Sequence, residues 1–362
     1  MNFYIGLYII TWIISFFEFF NLKRKNKIIL LIFIGCIYIF LGGFRWNGND
    51  WYVYYDFFTR NYTLDDFWNA PIDKGFGLIN YLVKSIFDEY TLLLILLAIV
   101  IIVVKLWFIK KYAIFPLISL LYWYATYFGD IYFIRQDLAA SIALISIYFI
   151  IKRNLKVFIL LIGIASTIQI SSIFFLPAYW IFNKQIKIKY ICWGLIISII
   201  LGRLIDVSIL GSLQNYIFID QERIASKVDL YVYDYDMNDI EALPLFLGYC
   251  RRLLFIPIEL WMINRMEKID KNYRGFVNLI IFGNMLYFLL ANMGSTFAVR
   301  ANYFYVMCEM ITIPAIFIFI KKMWVKLIVF FIFSIYLYLK YIFFILNKPE
   351  AFIPYINVLF NM

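Results

Sequence analysis

Apolar residues run almost unbroken along most of the chain, and each run closes on a short basic or polar segment. A helix rises 1.5 Å per residue and needs about 20 apolar residues to cross a hydrocarbon core. The runs predict about ten membrane-spanning helices, at roughly 3–20, 28–43, 91–109, 113–128, 131–151, 190–205, 244–263, 276–297, 301–320 and 325–346. One further run, 157–182, is too long for a simple span, and Thr167, Gln169, Ser171, Ser172 and Pro177 interrupt it. The first run has no basic segment before it and no small-residue cleavage site after it. It is therefore expected as an uncleaved span.

Charge then fixes the expected topology. Six basic clusters, at 23–27, 110–111, 152–156, 184–189, 265–274 and 321–326, hold 19 of the 33 Lys and Arg residues. Two long segments, 44–90 and 203–243, hold 15 acidic against 7 basic residues. The positive-inside rule assigns the clusters to the cytoplasm and both long segments to the outer side. Segment 157–182 must then enter and return on one side, or the 184–189 cluster would face outward. The expectation is a re-entrant pair of half-helices with its tip near Gln169–Ser172, a broken backbone tolerated only where it lines a protein cavity. The alternative is one long tilted helix with a basic outer end. The expected fold is an all-α polytopic integral membrane protein: one domain over residues 1–362, with two structured outer loops and both termini outside. Within the first loop, Gly77–Phe87 has helical apolar spacing and is expected along the outer interface.

Composition narrows the chemistry. The 362 residues are 65% hydrophobic and contain no histidine. Ser-His-Asp and Cys-His catalysis, HExxH metal sites and imidazole proton shuttles are therefore unavailable. The net charge of +10 is read as cytoplasmic anchoring and not as a nucleic-acid surface. Cys36, Cys192, Cys250 and Cys308 stand alone in apolar runs and are expected as small buried hydrophobes. No Gly-rich phosphate loop, DxD pair or Cys/His cluster is present, so neither a metal nor a nucleotide cofactor is expected.

An ionisable group inside or beside a span costs at least about 2.5 kcal/mol and points to function. On the expected outer side lie Arg45, Asp50, Asp130, Arg135, Gln136, Arg251, Arg252 and Arg300, with Glu309 deeper and Gln169 at the hairpin tip. Five arginines at one depth suit an anionic ligand, because a guanidinium fork binds two phosphate oxygens and stays charged. Arg251 and Arg252 point about 100° apart on a helix, so only one is expected to face a cavity. Lys105 and Lys340 are expected to snorkel. Glu259 is expected as an ion-pair partner.

Three segments carry a resemblance. The first is Arg45-Trp-Asn-Gly-Asn-Asp50-Trp-Tyr-Val-Tyr-Tyr55, the second Arg135-Gln136-Asp-Leu-Ala139, and the third Ala165-Ser-Thr-Ile-Gln169-Ile-Ser171-Ser172. In order, side and spacing they resemble the EpsG family of exopolysaccharide proteins and the wider Wzy O-antigen and capsule polymerases. Two departures stand out. Trp51 replaces the family's usual Tyr, and Gln169 stands where the family often has His.

The resemblance implies a nucleotide-independent membrane glycosyltransferase of the bacterial plasma membrane. It would transfer a glycan from undecaprenyl pyrophosphate to the non-reducing end of another lipid-linked repeat unit at the outer face. A chain-length regulator is a further candidate partner, beside membrane lipids. Arg45, Arg135, Gln136, Gln169, Arg251, Arg252 and Arg300 are then substrate-binding candidates, with Asp50 first and Asp130 second as catalytic carboxylates. The rival readings are a lipid-linked oligosaccharide flippase and a glycosyltransferase using a lipid-phosphate sugar.

Overall fold

A computed structural model describes residues 1–20, 22–205, 242–293 and 295–360. Most of the expected outer segment 203–243 therefore lies outside the described residues. Among the described residues the fold is helical, with no β-strand beyond one isolated antiparallel bridge between Arg45 and Asn357. The helices are α1 (Asn2–Phe16), α2 (Arg24–Gly43), α3 (Trp51–Arg60), α4 (Leu64–Asn69), α5 (Lys74–Phe87), α6 (Tyr90–Tyr112), α7 (Pro116–Thr126) and α8 (Ile134–Ile151). They continue as α9 (Leu155–Ile168), α10 (Ala178–Phe182), α11 (Ile188–Leu204), α12 (Ala242–Met266), α13 (Tyr273–Leu290), α14 (Ser295–Val306), α15 (Glu309–Thr312), α16 (Met323–Leu346) and α17 (Pro349–Phe352).

Among the described residues, six helical segments are long and apolar enough to cross a membrane: Asn2–Phe19, α2, α6, α8, α13 and α16. The expected span 301–320 is instead a pair, Phe297–Val306 and Glu309–Phe319, bent by 43°. Pro314 opens the 3-10 turn that ends the pair, since its ring nitrogen has no hydrogen to donate to the preceding turn. The other expected spans fall short for visible reasons. Helix α7 has 11 residues, closing at Thr126. Helix α11 has 17. Helix α12 has 25 but carries Arg251, Arg252 and Glu259 among its apolar residues.

The chain forms two compact units. The first comprises Met1–Ser146, Gly163–Ile170 and Met310–Met362. In it α2 packs on α6 along a seam of small residues. A Cβ added to Gly42 would stand 3.3 Å from the Ala98 Cβ, and one on Gly43 3.0 Å from the Ile95 Cα. Such small residues let two apolar helices approach closely where solvent supplies no driving force. Helix α7 packs on α1 and α16. Tyr38 stacks on Tyr124 at 4.7 Å, and its hydroxyl meets Thr11 Oγ1 at 2.6 Å.

Between α2 and α6 the first long segment folds as α3, α4 and α5. A capping box opens α4: Asp66 N donates to Thr63 Oγ1 and Thr63 N to Asp66 Oδ2, at 3.2 and 2.8 Å. Helix α5 leaves Leu78, Leu82 and Ile86 exposed, at i, i+4 and i+8 on one face. The C-terminal segment returns to the start of this loop, with Trp46 N donating to Ile356 O and Val358 N to Phe44 O.

The second unit comprises Ile147–Ile162 and Ser171–Glu309. Its centre is α13, which touches α10, α11, α12 and α14. The Asn278 side chain holds the returning chain in place by donating to Lys184 O at 2.8 Å.

The run 157–182 breaks at Gln169. Ser166 and Thr167 hydroxyls donate to the carbonyls of Gly163 and Ile164, at 2.7 and 2.8 Å. Side chains that bond back to their own turn compete with the helical ladder and bend it. A 3-10 segment, Ile170–Phe175, follows, then Pro177 and α10. Near the other ends of the two limbs the Phe158 and Tyr179 rings lie 5.4 Å apart, so the chain doubles back.

Two expectations about single residues are corrected. Lys105 does not snorkel. It is fully buried, because its ammonium has a partner inside the unit, Asp130. Of the four cysteines only Cys308 is buried, whereas Cys36, Cys192 and Cys250 sit on outward faces of their helices.

Candidate functional site

In the first unit, the chain after α2 wraps around Arg45. This side chain is 1% exposed. It donates from Nη1 to Asn47 O at 2.9 Å and from Nη2 to Tyr132 O at 3.1 Å, with its guanidinium over the Tyr132 ring. Gly48, at φ +143°, lets the backbone pass the guanidinium, since a Cβ there would stand 2.5 Å from Nη1. Burial lowers the Arg45 pKa, yet arginine keeps its proton at neutral pH. Arg45 thus braces the loop against the segment leading into α8.

Asp130 is equally committed. Its Oδ2 accepts from Lys105 Nζ at 2.7 Å and from Trp123 Nε1 at 2.8 Å, and it is 1% exposed. An ammonium and an indole thus tie this carboxylate into the interior of the first unit.

A partly accessible pair lies elsewhere in the first unit. Arg135, at the start of α8, has Nη1 3.3 Å from Asp73 Oδ2, with side-chain exposures of 20% and 10%. The same guanidinium lies 5.9 Å from the Tyr54 ring. Asp73 immediately precedes α5, where an aspartate ordinarily caps the helix. Its side chain makes no capping bond and turns to Arg135 instead. This explains why sequence reading passed over it. Its only local signal was that of a helix cap.

The broken run 157–182 meets the same place. A Cβ on Gly75 would stand 2.8 Å from the Thr167 Cβ, so the start of α5 lies directly on the end of α9. Gln169 follows two residues later and is 4% exposed. Asp50 is half-buried at the start of α3; its carboxylate accepts from Asn49 Nδ2 at 3.1 Å, and its carbonyl accepts from Tyr54 N at 3.2 Å. Gln136 is half-buried beside Arg135. The first unit therefore gathers Tyr54, Asp73 and Arg135 where α3, α5 and α8 begin, with Asp50 one turn before Tyr54 on α3.

In the second unit both arginines of α12 find partners, although only one was expected to turn inward. Arg251 Nη2 pairs with Glu309 Oε2. Arg252 Nη1 donates to Gly248 O at 2.9 Å, and its guanidinium lies 3.3 Å from the Tyr287 ring centre. With its amide oxygen turned to the guanidinium, Asn302 accepts from Arg252 Nη2 at 2.7 Å. Neither Tyr287 nor Asn302 was legible as a partner. Glu259 is fully buried. Arg300 is half-buried on α14.

Neither the curated proteins nor the solved structures contain a match. The family model of the EpsG family matches residues 28–357, most of the chain, including every site residue named above. The chain belongs to the EpsG family, a Wzy-like, polymerase-type family of membrane proteins.

Proposed function

We propose that the protein polymerises oligosaccharide repeat units at the outer face of the bacterial plasma membrane. The donor is a glycan on undecaprenyl pyrophosphate, and the acceptor is the non-reducing end of a second lipid-linked unit. The Arg135–Asp73 pair carries this reading, being charged, partly accessible and set where the outer helices meet the broken run. An anionic substrate competes with Asp73 for Arg135. A pyrophosphate offers the guanidinium fork two oxygens and more charge than one carboxylate.

In the reaction the bond between the donor's anomeric carbon and its pyrophosphate oxygen breaks. The bond from the acceptor hydroxyl oxygen to that carbon forms, and the electron pair leaves on the pyrophosphate. Arg135 stabilises the charge that develops there. Asp50 orients the acceptor hydroxyl and takes its proton, then releases it to water. Arg45 and Asp130 shape the site from behind. Gln136 and Gln169 supply neutral hydrogen-bond groups for sugar hydroxyls. In the second unit, Arg251 beside Glu309, Arg252 beside Tyr287 and the half-buried Arg300 stay candidate ligands for the substrate's anionic groups.

Topology belongs to the proposal. We take the run 157–182 as a re-entrant hairpin, supported by the break at Gln169 and the Phe158–Tyr179 contact. Lys187→Cys in intact cells is then expected to resist a membrane-impermeant maleimide and to react after permeabilisation. Labelling from outside contradicts the hairpin.

A deletion strain tests the function. It is expected to display surface glycan of one repeat unit. Lipid-linked units trapped inside the cell identify a flippase and refute the polymerase.

A further inference from the structure

A cleft of about 330 Å³ opens in the first unit at one end of α2 and α6. Three cations line it, Arg24, Lys27 and Lys110, with Leu22, Ile28 and Ile114 among its apolar walls. It shares no residue with the candidate functional site. Its charges are unequally used. Among the described residues, Glu18 is the acidic partner there: it takes Lys27 Nζ at 2.5 Å and the Leu117 amide at the start of α7 at 2.6 Å. The N-terminal end of α7 is thus satisfied by the protein's own carboxylate. Arg24 spends one nitrogen on Lys110 O at 3.3 Å, which holds its guanidinium across the cleft. Lys110 forms no ion pair among the described residues. Both Arg24 and Lys110 are exposed, so the charge left over is presented outward.

Position decides what kind of anion fits. Arg24 opens α2 and Lys110 lies in the last turn of α6, and both helices qualify as membrane spans. The cleft therefore sits at the level where hydrocarbon gives way to headgroups. Beside it α2 exposes Ile29, Ile32 and Phe33, each more than half exposed. An apolar face continuous with a cationic cleft matches an amphiphile and not a soluble ion. A phosphate joins the exposed cations, while glycerol and upper acyl carbons lie on Ile28 and Ile114. Clefts of this composition between spans recognise anionic lipid headgroups.

We infer that the Arg24–Lys27–Lys110 cleft binds the phosphate headgroup of an anionic phospholipid. By the positive-inside assignment this lipid belongs to the cytoplasmic leaflet. The site is separate from the polymerase reading, and its test does not use polymerase activity.

Native mass spectrometry of the purified full-length protein, with phosphatidylglycerol or phosphatidylcholine added, measures retained lipid. Phosphatidylglycerol is expected to be retained more than phosphatidylcholine, and Arg24→Gln/Lys110→Gln to lower its apparent affinity at least about tenfold. Both side chains are exposed, so the lipid-free melting temperature is expected to stay unchanged. Arg24→Lys/Lys110→Arg is expected to retain the lipid. A second arm adds glycerol phosphate in excess, which is expected not to displace the lipid. Equal retention by the wild type and the Gln double variant overturns the proposal. So does displacement by glycerol phosphate, which marks a site for soluble anions.

Discussion

Lys105→Met is expected to destabilise the protein by about 3–5 kcal/mol, the usual cost of breaking a buried ion pair from one side. Lys105 and Asp130 have side-chain exposures of 0% and 1%, and their charged atoms are 2.7 Å apart. Removing the ammonium leaves a buried carboxylate without its counter-charge, while the Trp123 indole still donates to it. Lys105→Met/Asp130→Asn removes both charges and keeps an oxygen for Trp123. It is expected to recover most of the loss, because a buried pair is worth little against a neutral replacement of similar volume. Thermal unfolding of the purified variants, arranged as a double-mutant cycle, measures the coupling. The same double variant decides the role of Asp130. If Asp130 only holds the fold, the refolded double variant polymerises. A double variant with native stability and no activity restores Asp130 as a catalytic group.

The second large effect falls on activity. Arg135→Ala is expected to lower polymerisation by about 10²–10³-fold, the range seen when one preorganised donor to a developing anion is removed. Its effect on stability is expected to stay within about 1 kcal/mol, since the Arg135–Asp73 pair is partly exposed and such pairs contribute little. Arg135→Lys keeps the charge but loses the fork, and is expected to fall between wild type and Arg135→Ala. Asp50→Asn is expected to lose activity with stability unchanged. Product ladders and melting curves on the same preparations separate the two effects. Arg135→Ala that melts like wild type and polymerises normally removes Arg135 from the site.

Where the sequence carried its own physical signal, the reading was direct. Long apolar runs located α2, α6, α8 and α16 within a few residues, and α13 with its C-terminal end set too late, because lipid-facing and core-facing positions are alike apolar. The break at Gln169 was legible too, since Thr167, Ser171, Ser172 and Pro177 bear local chemistry that competes with a helix. What the sequence hid were partners distant along the chain. Lys105 looked like a snorkelling lysine because Asp130 lies 25 residues away on another element. Arg251 and Arg252 looked like rivals for one cavity because nothing local shows that Glu309, Tyr287 and Asn302 surround α12. Asp73 was masked by a commoner role, that of a helix cap. Helix α7 was read as a span because apolar composition does not show that its helix closes after 11 residues.

The absence of histidine acquires a specific meaning at Gln169. A glutamine donates and accepts hydrogen bonds but does not titrate. Buried at 4% exposure beside the start of α5, it can orient a sugar but cannot carry a proton. In the proposed reaction, proton transfer then falls to a carboxylate, for which the half-buried Asp50 is the candidate on the same unit.

The most direct measurement is reconstitution of the purified protein in liposomes with one defined undecaprenyl-pyrophosphate oligosaccharide and no nucleotide sugar. The account predicts a ladder of products that differ by one whole repeat unit, with undecaprenyl pyrophosphate released in step. Transfer of the unchanged substrate between leaflets without a ladder, or growth by single sugars only, contradicts it.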